Sequence, residues 1–194
     1  MAPAADTRRA DLLERITDYV AENGLADLSL RPLADAVGSS PRVLLYYFTS
    51  KEDLIGEVLA RLRARQRMVF ATLPRDAATY AVTVRAAWKL MSDPAHERVF
   101  RLFFEVYGLA LQAPDRYAEF LRGAVEDWIA YLAAANVAQG YAMRDARAIA
   151  TVVLAGYRGF LLDLLATGER ARIDRAVELW IAALDTLPEP EKKR

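Results

Sequence analysis

The sequence predicts an all-α protein of about nine helices, in which a three-helix N-terminal head precedes a C-terminal helical bundle. Apolar residues recur at helical spacing almost throughout the chain, and the alternation typical of β-strands is rare. Ala, Leu, Arg and Glu dominate, and all four are good helix formers. Proline and glycine interrupt the helical pattern at intervals, as expected between helices. The hydrophobic content of 54% exceeds a typical soluble average and indicates additional buried surface.

The head, residues 1–50, contains three predicted helices. The first covers residues of about 7–23. Ser29 is placed to cap the second helix, and Pro32 lies in its first turn, where a missing N–H costs little. Gly38 suits the left-handed backbone conformation that ends a helix.

The third helix begins only two residues after Gly38, because Ser40 and Pro41 form an N-cap followed by a first helical residue. A tight turn followed by a short helix with a polar beginning is typical of a helix-turn-helix whose second helix enters a DNA groove. Base contacts are therefore expected from Ser39, Ser40, Arg42, Val43 and Tyr46. The guanidinium of Arg42 matches the two acceptors of guanine, and Val43 can meet a thymine methyl group.

Other polar residues of the head are candidates for contacts with the DNA backbone. Such contacts position a protein without specifying a sequence, and they are expected from Arg8, Ser29, Arg31, Tyr47 and Lys51. The sequence leaves open which of Tyr46 and Tyr47 contacts DNA. The acidic residues of the first helix share one face at helical spacing: Asp11, Glu14, Asp18 and Glu22. This distribution indicates either a basic edge beside an acidic flank or an ordinary solvated surface.

A long fourth helix leads from the head into the bundle. Ser50 and Asp53 form a capping box at its beginning, and it extends to about residue 72. Its later arginines are either solvated or in contact with DNA: Arg61, Arg63, Arg65 and Arg67. Five further helices are predicted near residues 76–91, 95–111, 115–136, 144–167 and 170–187.

The motif residues of the head form a dense pattern. They are Ser29, Leu33-Ala34, Gly38, Ser40-Pro41-Arg42 and the closing run Tyr47-Phe48-Thr49-Ser50-Lys51. With this pattern the first third of the chain resembles the TetR/AcrR family of bacterial transcriptional regulators. The chain departs from the family at Leu45, where a tyrosine commonly stands.

The resemblance implies a ligand-responsive transcriptional repressor. A homodimer would bind a palindromic DNA operator through two heads and be released by a small-molecule effector. The resemblance also implies a helix-turn-helix DNA-binding domain at residues 1–50 and a ligand-binding and dimerisation domain at residues 51–194. Effector binding would shift the connecting helix and change the spacing of the two heads.

Aromatic residues concentrate in the middle of the chain, where they line either a plain core or an apolar ligand pocket. Trp and Tyr have polar tips that a sealed core must satisfy. The resemblance implies an effector pocket, and its candidate lining residues are Trp88, Phe103, Phe104, Tyr107, Trp128 and Tyr131. The aromatic content favours an apolar or aromatic effector.

The last two predicted helices carry a candidate dimer interface. Thr151, Ala155 and Gly159 repeat at four-residue spacing, and small residues let another helix approach closely. Apolar residues recur at helical spacing in the final helix, and the candidates there are Val177, Trp180, Ile181 and Leu184. The two helices form either a four-helix interface between subunits, as the resemblance implies, or part of the core of one chain.

Composition disfavours catalysis. The chain has no cysteine and a single histidine, His96, which excludes thiol chemistry and multi-histidine metal sites. No phosphate-binding loop, nucleophile elbow or carboxylate dyad stands out, so we expect no enzyme activity, cofactor or metal. Neither a signal peptide nor a membrane span is expected, and the expected location is the cytoplasm. The alternative function is a helical protein-interaction scaffold that does not bind DNA.

Overall fold

The structure is a computed structural model that describes residues 4–25, 28–70 and 80–186. These residues form nine α-helices and one 3₁₀ turn, without a β-strand. The helices are α1 (Ala4–Asn23), α2 (Leu30–Ala36), α3 (Pro41–Tyr47), α4 (Lys51–Phe70), α5 (Tyr80–Met91), α6 (Glu97–Gln112), α7 (Ala118–Ala138), α8 (Met143–Thr167) and α9 (Arg170–Leu184). The 3₁₀ turn, Pro94–His96, precedes α6. The predicted all-α fold is confirmed.

The helices pack into two compact units. The first unit comprises Met1–Ala71 and Arg98–Phe120, and it contains α1 to α4 and nearly all of α6. The second unit comprises Thr72–Glu97 and Leu121–Arg194, and it contains α5, most of α7, α8 and α9. The functional division at residue 50 stays a prediction, because packing alone defines these units.

The hydrophobic core of the first unit joins α2 and α3 to the longer helices α1 and α4. Its fully buried side chains include Ile16, Val20, Leu33, Leu44, Phe48, Leu54 and Val58. Val37 of the same head is buried as well. Since α2 and α3 have only seven residues each, tertiary packing rather than intrinsic propensity holds them in place.

Ion pairs between α1 and α4 involve two residues of the acidic face of α1, Glu14 and Asp18. Arg61 and Arg65 both pair with Glu14, and Arg65 Nη1 lies 2.6 Å from Asp18 Oδ1. Each exposed pair contributes only about 0–1 kcal/mol, but together they decide which charges remain for another partner. The side chain of Arg67, the last arginine of the predicted basic segment, lies outside the described residues.

A carboxylate connects α6 to the loop that follows α1. Both oxygens of Glu105 accept from the backbone N–H of Leu25, at 3.1 and 3.3 Å. The preceding residue, Gly24, has φ of +79°, a conformation that suits glycine. Arg116, which follows α6, pairs with Glu52 of α4 at 2.5 Å. These contacts make α6 part of the same unit as the head.

Aromatic rings hold α8 against α9 in the second unit. The ring centroid of Trp180 lies 5.3 Å from that of Tyr157 and 5.4 Å from that of Phe160. Gly156 makes room for this packing, because a Cβ atom there would stand 2.6 Å from Cε2 of Trp180. The buried hydroxyl of Tyr157 donates to the carbonyl of Val84 at 2.9 Å. A ring from α9 therefore lies directly on the backbone of α8.

Ion pairs also connect α9 to α5 and α8. Arg85 donates to Glu178 at 2.8 and 2.7 Å, and Arg172 donates to both oxygens of Asp163 at 2.9 Å. These hydrogen bonds lower the pKa of Glu178 and of Asp163 and raise the pKa of both arginines. Both pairs are solvent-exposed, so salt weakens their contribution to stability.

Replacing Gly156 with alanine is expected to destabilise the protein by about 1–3 kcal/mol, because the added methyl group overlaps a packed Trp180 ring. Urea unfolding monitored by circular dichroism measures this change. The control is Gly108→Ala in α6, where an added Cβ meets nothing within 4 Å. That variant should gain about 0.5–1 kcal/mol, since alanine is the better helix former. Equal effects of the two substitutions would contradict the packing argument.

Candidate nucleic-acid interface

The turn between α2 and α3 has the conformation that the sequence predicts. Gly38 has φ of +61°, and the N–H of Ser39 donates to the carbonyl of Ala34 at 2.8 Å. Ser40 is the N-cap of α3: its backbone is extended, and its Oγ accepts from the N–H of Val43 at 3.3 Å. Pro41 is the first helical residue. The beginning of α3 is therefore fixed by its own local sequence.

The N-cap of α2 differs from the prediction. Ser29 occupies the N-cap position with φ of −122° and ψ of 149°, close to the values of −132° and 154° at Ser40. Its side chain nevertheless makes no capping hydrogen bond, and only its carbonyl accepts, from the N–H of Leu33 at 3.2 Å. The prediction that the Ser29 side chain caps α2 is wrong. Ser29 is exposed, as a residue that contacts phosphate must be.

The helix α3 has one face in the core and one face at the surface. Leu44 is fully buried, whereas Arg42, Leu45 and Tyr46 are exposed, Tyr46 to 79% of its area. The ring of Tyr46 packs edge-on against Tyr47, with 5.0 Å between centroids. Leu45 is not among the predicted contacts, although its spacing of three residues from Arg42 already places both on one helical face. The surface of α3 thus combines a guanidinium with apolar groups.

The other predicted DNA contacts lie on several elements of the first unit. Arg8 on α1 and Arg31 on α2 are exposed, and Ser39 in the turn is half-buried. Lys51, the first residue of α4, and Tyr47, the last of α3, are also half-buried. The compact first unit therefore contains all ten predicted residues.

Comparison with known proteins gives the same assignment as the motif. Residues 12–58 match the family model for bacterial regulatory proteins, tetR family. The HTH-type transcriptional regulator EthR of Mycobacterium tuberculosis (strain ATCC 25618 / H37Rv) is 27% identical over 146 residues, which cover 68% of this chain and 61% of EthR. The HTH-type transcriptional repressor KstR2 of Rhodococcus jostii (strain RHA1) is 31% identical over 106 residues, which cover 50% of this chain and 52% of KstR2. The chain thus spans only about half to three fifths of the length of these curated relatives.

The fold is shared along the whole chain. A TetR-family transcriptional regulator from Cytophaga hutchinsonii superposes with a TM-score of 0.80 and 19% identity, covering 100% of both chains. The chain is thus similar to the TetR family of regulators in residues 12–58 and in its fold. These relatives are transcriptional regulators, in agreement with the expectation that the chain is not an enzyme. Among the residues that the structure describes, no group of three or more His, Asp or Glu side chains could hold a metal ion.

The residues predicted to line an effector pocket fall into separate aromatic clusters. In the first unit, the ring of Phe103 lies 5.2 Å from that of Phe104 and 5.6 Å from that of Tyr107. In the second unit, Trp128 packs edge-on against Tyr131 at 5.8 Å. Effector binding by these residues stays a prediction.

The sixth predicted lining residue, Trp88, is buried in the second unit. Its indole N–H donates to Asp174 at 2.8 Å, so its polar tip is satisfied within the protein. Beside it lies a cavity of ≈ 470 Å³, lined by Arg85, Trp88, Lys89, Ser92, Asp93, Pro94, Arg170, Asp174 and Glu178. This lining carries charges of both signs, whereas the sequence favoured an apolar or aromatic effector.

The predicted interface residues of α8 and α9 are found in two different environments. Thr151, Ala155 and Gly159 are exposed on α8. Trp180 is half-buried, and the remaining three residues of α9 are buried within their own chain: Val177, Ile181 and Leu184. Their periodicity therefore marks the face of α9 that packs in the protomer core. The opposite face of α9 carries Leu179, Ala182 and Ala183, which are exposed.

The exposed side of α8 is unusually apolar. A continuous stripe at helical spacing consists of Ala148, Val152, Ala155, Gly159, Leu162 and Ala166. By length and composition alone α8 could cross a membrane, and only 22% of its most apolar window is buried. No membrane span is expected from the sequence, and the core helix of a soluble protein can have the same length and composition. Within residues 4–25, 28–70 and 80–186, the stripe is exposed.

Replacing Ser40 with alanine is expected to cost about 1 kcal/mol of folding free energy, because it removes the N-cap bond to Val43. The matched control is Ser29→Ala, at an N-cap position with nearly the same backbone angles but no side-chain bond. That variant should change the stability by less than about 0.5 kcal/mol. Urea unfolding of both variants measures the difference, and a loss at Ser29 as large as that at Ser40 would contradict the assignment of the caps.

Proposed function

We propose that the protein is a cytoplasmic transcriptional repressor that binds a palindromic DNA operator as a homodimer and is released by a small-molecule effector. The observation that supports this proposal is the surface of α3. This short helix begins at a capped, tight turn, is anchored by Leu44 in the core, and exposes Arg42 and Tyr46. Such a helix is suited to the major groove. The relative KstR2 is named a transcriptional repressor, which supports repression rather than activation.

The residues on and around α3 are assigned different roles. Arg42 reads guanine through two hydrogen bonds, and Val43 and Leu45 contact thymine methyl groups. Tyr46, the most exposed residue of the helix, supplies a further base or sugar contact. Phosphate contacts come from Arg8, Ser29, Arg31, Tyr47 and Lys51, and Ser39 and Ser40 approach the bases beside the turn.

Dimerisation is assigned to the exposed surfaces of α8 and α9. The small residues Ala155 and Gly159 let a partner helix approach closely, and Val152, Leu162 and Leu179 supply apolar area around them. A two-fold dimer reads two half-sites, which a single short α3 cannot do. A second copy of the chain is therefore the partner that this surface requires.

Effector binding is assigned to the C-terminal helices. The aromatic clusters around Phe103 and Trp128 and the cavity beside Trp88 provide ring and charged surfaces for a small molecule. The signal reaches the head through α4, which packs against α1 and makes ion pairs with its carboxylates. A ligand and an operator that favour different positions of α4 exclude each other reciprocally.

Replacing Arg42 with alanine should weaken binding to the operator by about 5- to 150-fold, since a good base contact is worth about 1–3 kcal/mol. Binding to random DNA should change little. Lys51→Ala should instead weaken binding to all DNA and reduce the slope of log affinity against log salt concentration by about 1. The operator is first selected from a random DNA library, and fluorescence anisotropy then measures both sequences at several salt concentrations. Selection that enriches no sequence would contradict the proposed function.

Replacing Leu162 with glutamate should dissociate the dimer, because an uncompensated buried charge costs about 3–5 kcal/mol. The dissociation constant should rise at least about a hundredfold, as measured by analytical ultracentrifugation. The control is Leu111→Glu on α6, where the wild-type side chain is 63% exposed, compared with 52% at Leu162. This variant should remain dimeric. A monomeric wild-type protein that instead binds lipid vesicles through α8 would exclude the dimer.

A further inference from the structure

One arginine of α1 contacts the end of α3 and the side of α4 at the same time. Arg9 Nε donates to the backbone carbonyl of Tyr47, the last residue of α3, at 3.3 Å. The same guanidinium lies over the ring of Phe48, with 5.0 Å from its central carbon to the ring centroid. Its Nη2 forms an ion pair with Glu57 of α4. Three helices therefore meet at a single side chain.

Each of these contacts has a physical reason to occur where it does. The last carbonyl groups of a helix lack intrahelical partners and carry partial negative charge, which a cation stabilises. The planar guanidinium can donate hydrogen bonds in two directions and stack its face on an aromatic ring at the same time. An ammonium group cannot make all of these contacts at once. The ion pair with Glu57 compensates the charge of Arg9 within the protein, so little of that charge is left for a phosphate.

We propose that Arg9 is a positioning residue for DNA recognition, and this inference rests on the proposed function. It ties the C-terminal end of α3 to α1 and α4 and so fixes the angle at which Arg42 and Tyr46 are presented. The Ser40 cap holds the other end of the same helix. Arg9 contacts protein groups rather than DNA, whereas its neighbour Arg8 is exposed and assigned to a phosphate.

The test compares Arg9→Lys with Arg8→Gln. Arg9→Lys keeps the net charge but loses the two-directional contact, so operator affinity should fall about tenfold, as expected for one charge-assisted hydrogen bond. Binding to random DNA and the salt slope should stay at wild-type values. Arg8→Gln should weaken binding to both DNAs and reduce the salt slope by about 1. Fluorescence anisotropy on the selected operator and on a scrambled duplex, at several salt concentrations, measures the affinity and the salt slope for each DNA.

A second variant removes the pair without changing the net charge. Arg9→Gln combined with Glu57→Gln should lower operator affinity at least as much as Arg9→Lys, again with an unchanged salt slope. Circular dichroism and urea unfolding show whether each variant is folded under the binding conditions. A reduced stability with full operator affinity would make Arg9 a purely stabilising residue and overturn the proposal.

The remaining outcomes separate this inference from the proposed function. If Arg9→Lys weakens both DNAs equally and reduces the salt slope, Arg9 contacts phosphate directly and the positioning role is wrong. If the wild-type protein binds its operator specifically and the Arg9 variants keep full operator affinity, the inference is wrong and the proposed function stands. If the wild-type protein itself shows no sequence preference, the proposed function and the inference are both wrong.

Discussion

The structure of the head follows from one constraint: α3, the helix proposed to read DNA, has only seven residues and cannot hold its shape alone. Every feature around it compensates for that shortness. Leu44 and the following Phe48 are fully buried in the core with α1 and α4, and Gly38 allows the tight turn that precedes the helix. Side chains also satisfy backbone groups at both ends of α3. The Ser40 hydroxyl accepts from the N–H of Val43 at the beginning, and Arg9 donates to the carbonyl of Tyr47 at the end.

Charge placement in the first unit explains how a chain of zero formal net charge can serve an anionic partner. Two acidic residues of α1 that could repel phosphate are engaged by α4, because Arg61 and Arg65 pair with Glu14 and Asp18. The surface near α3 carries the exposed arginines Arg31 and Arg42. Distribution rather than sum governs attraction at distances within a Debye length, about 8 Å at physiological salt.

Local features were predictable from the sequence, and contacts between distant residues were not. Helix periodicity, the turn at Gly38 and the Ser40 cap depend on a few adjacent residues, so the all-α fold and the motif could be predicted. Ser29 shows the limit, because the same residue type with similar backbone angles makes no cap bond, and only the side-chain orientation decides. Contacts such as Arg9 to Glu57, or Glu105 to Leu25 across 80 residues, leave no periodic signal. Periodicity identified the apolar face of α9 but not that its own chain buries it.

The glycines of α8 show why a small residue does not by itself identify an interface. Gly156 and Gly159 are three residues apart, yet Gly156 is small because Trp180 of the same chain lies on its backbone, while a Cβ at Gly159 would meet nothing within 4 Å. The first glycine serves the protomer core, whereas open space at the second does not by itself indicate a partner, because a Cβ at Gly108 in α6 would also meet nothing within 4 Å. The proposed contact with a second helix at Gly159 therefore rests on the apolar side chains of Val152 and Leu162 along the same exposed stripe.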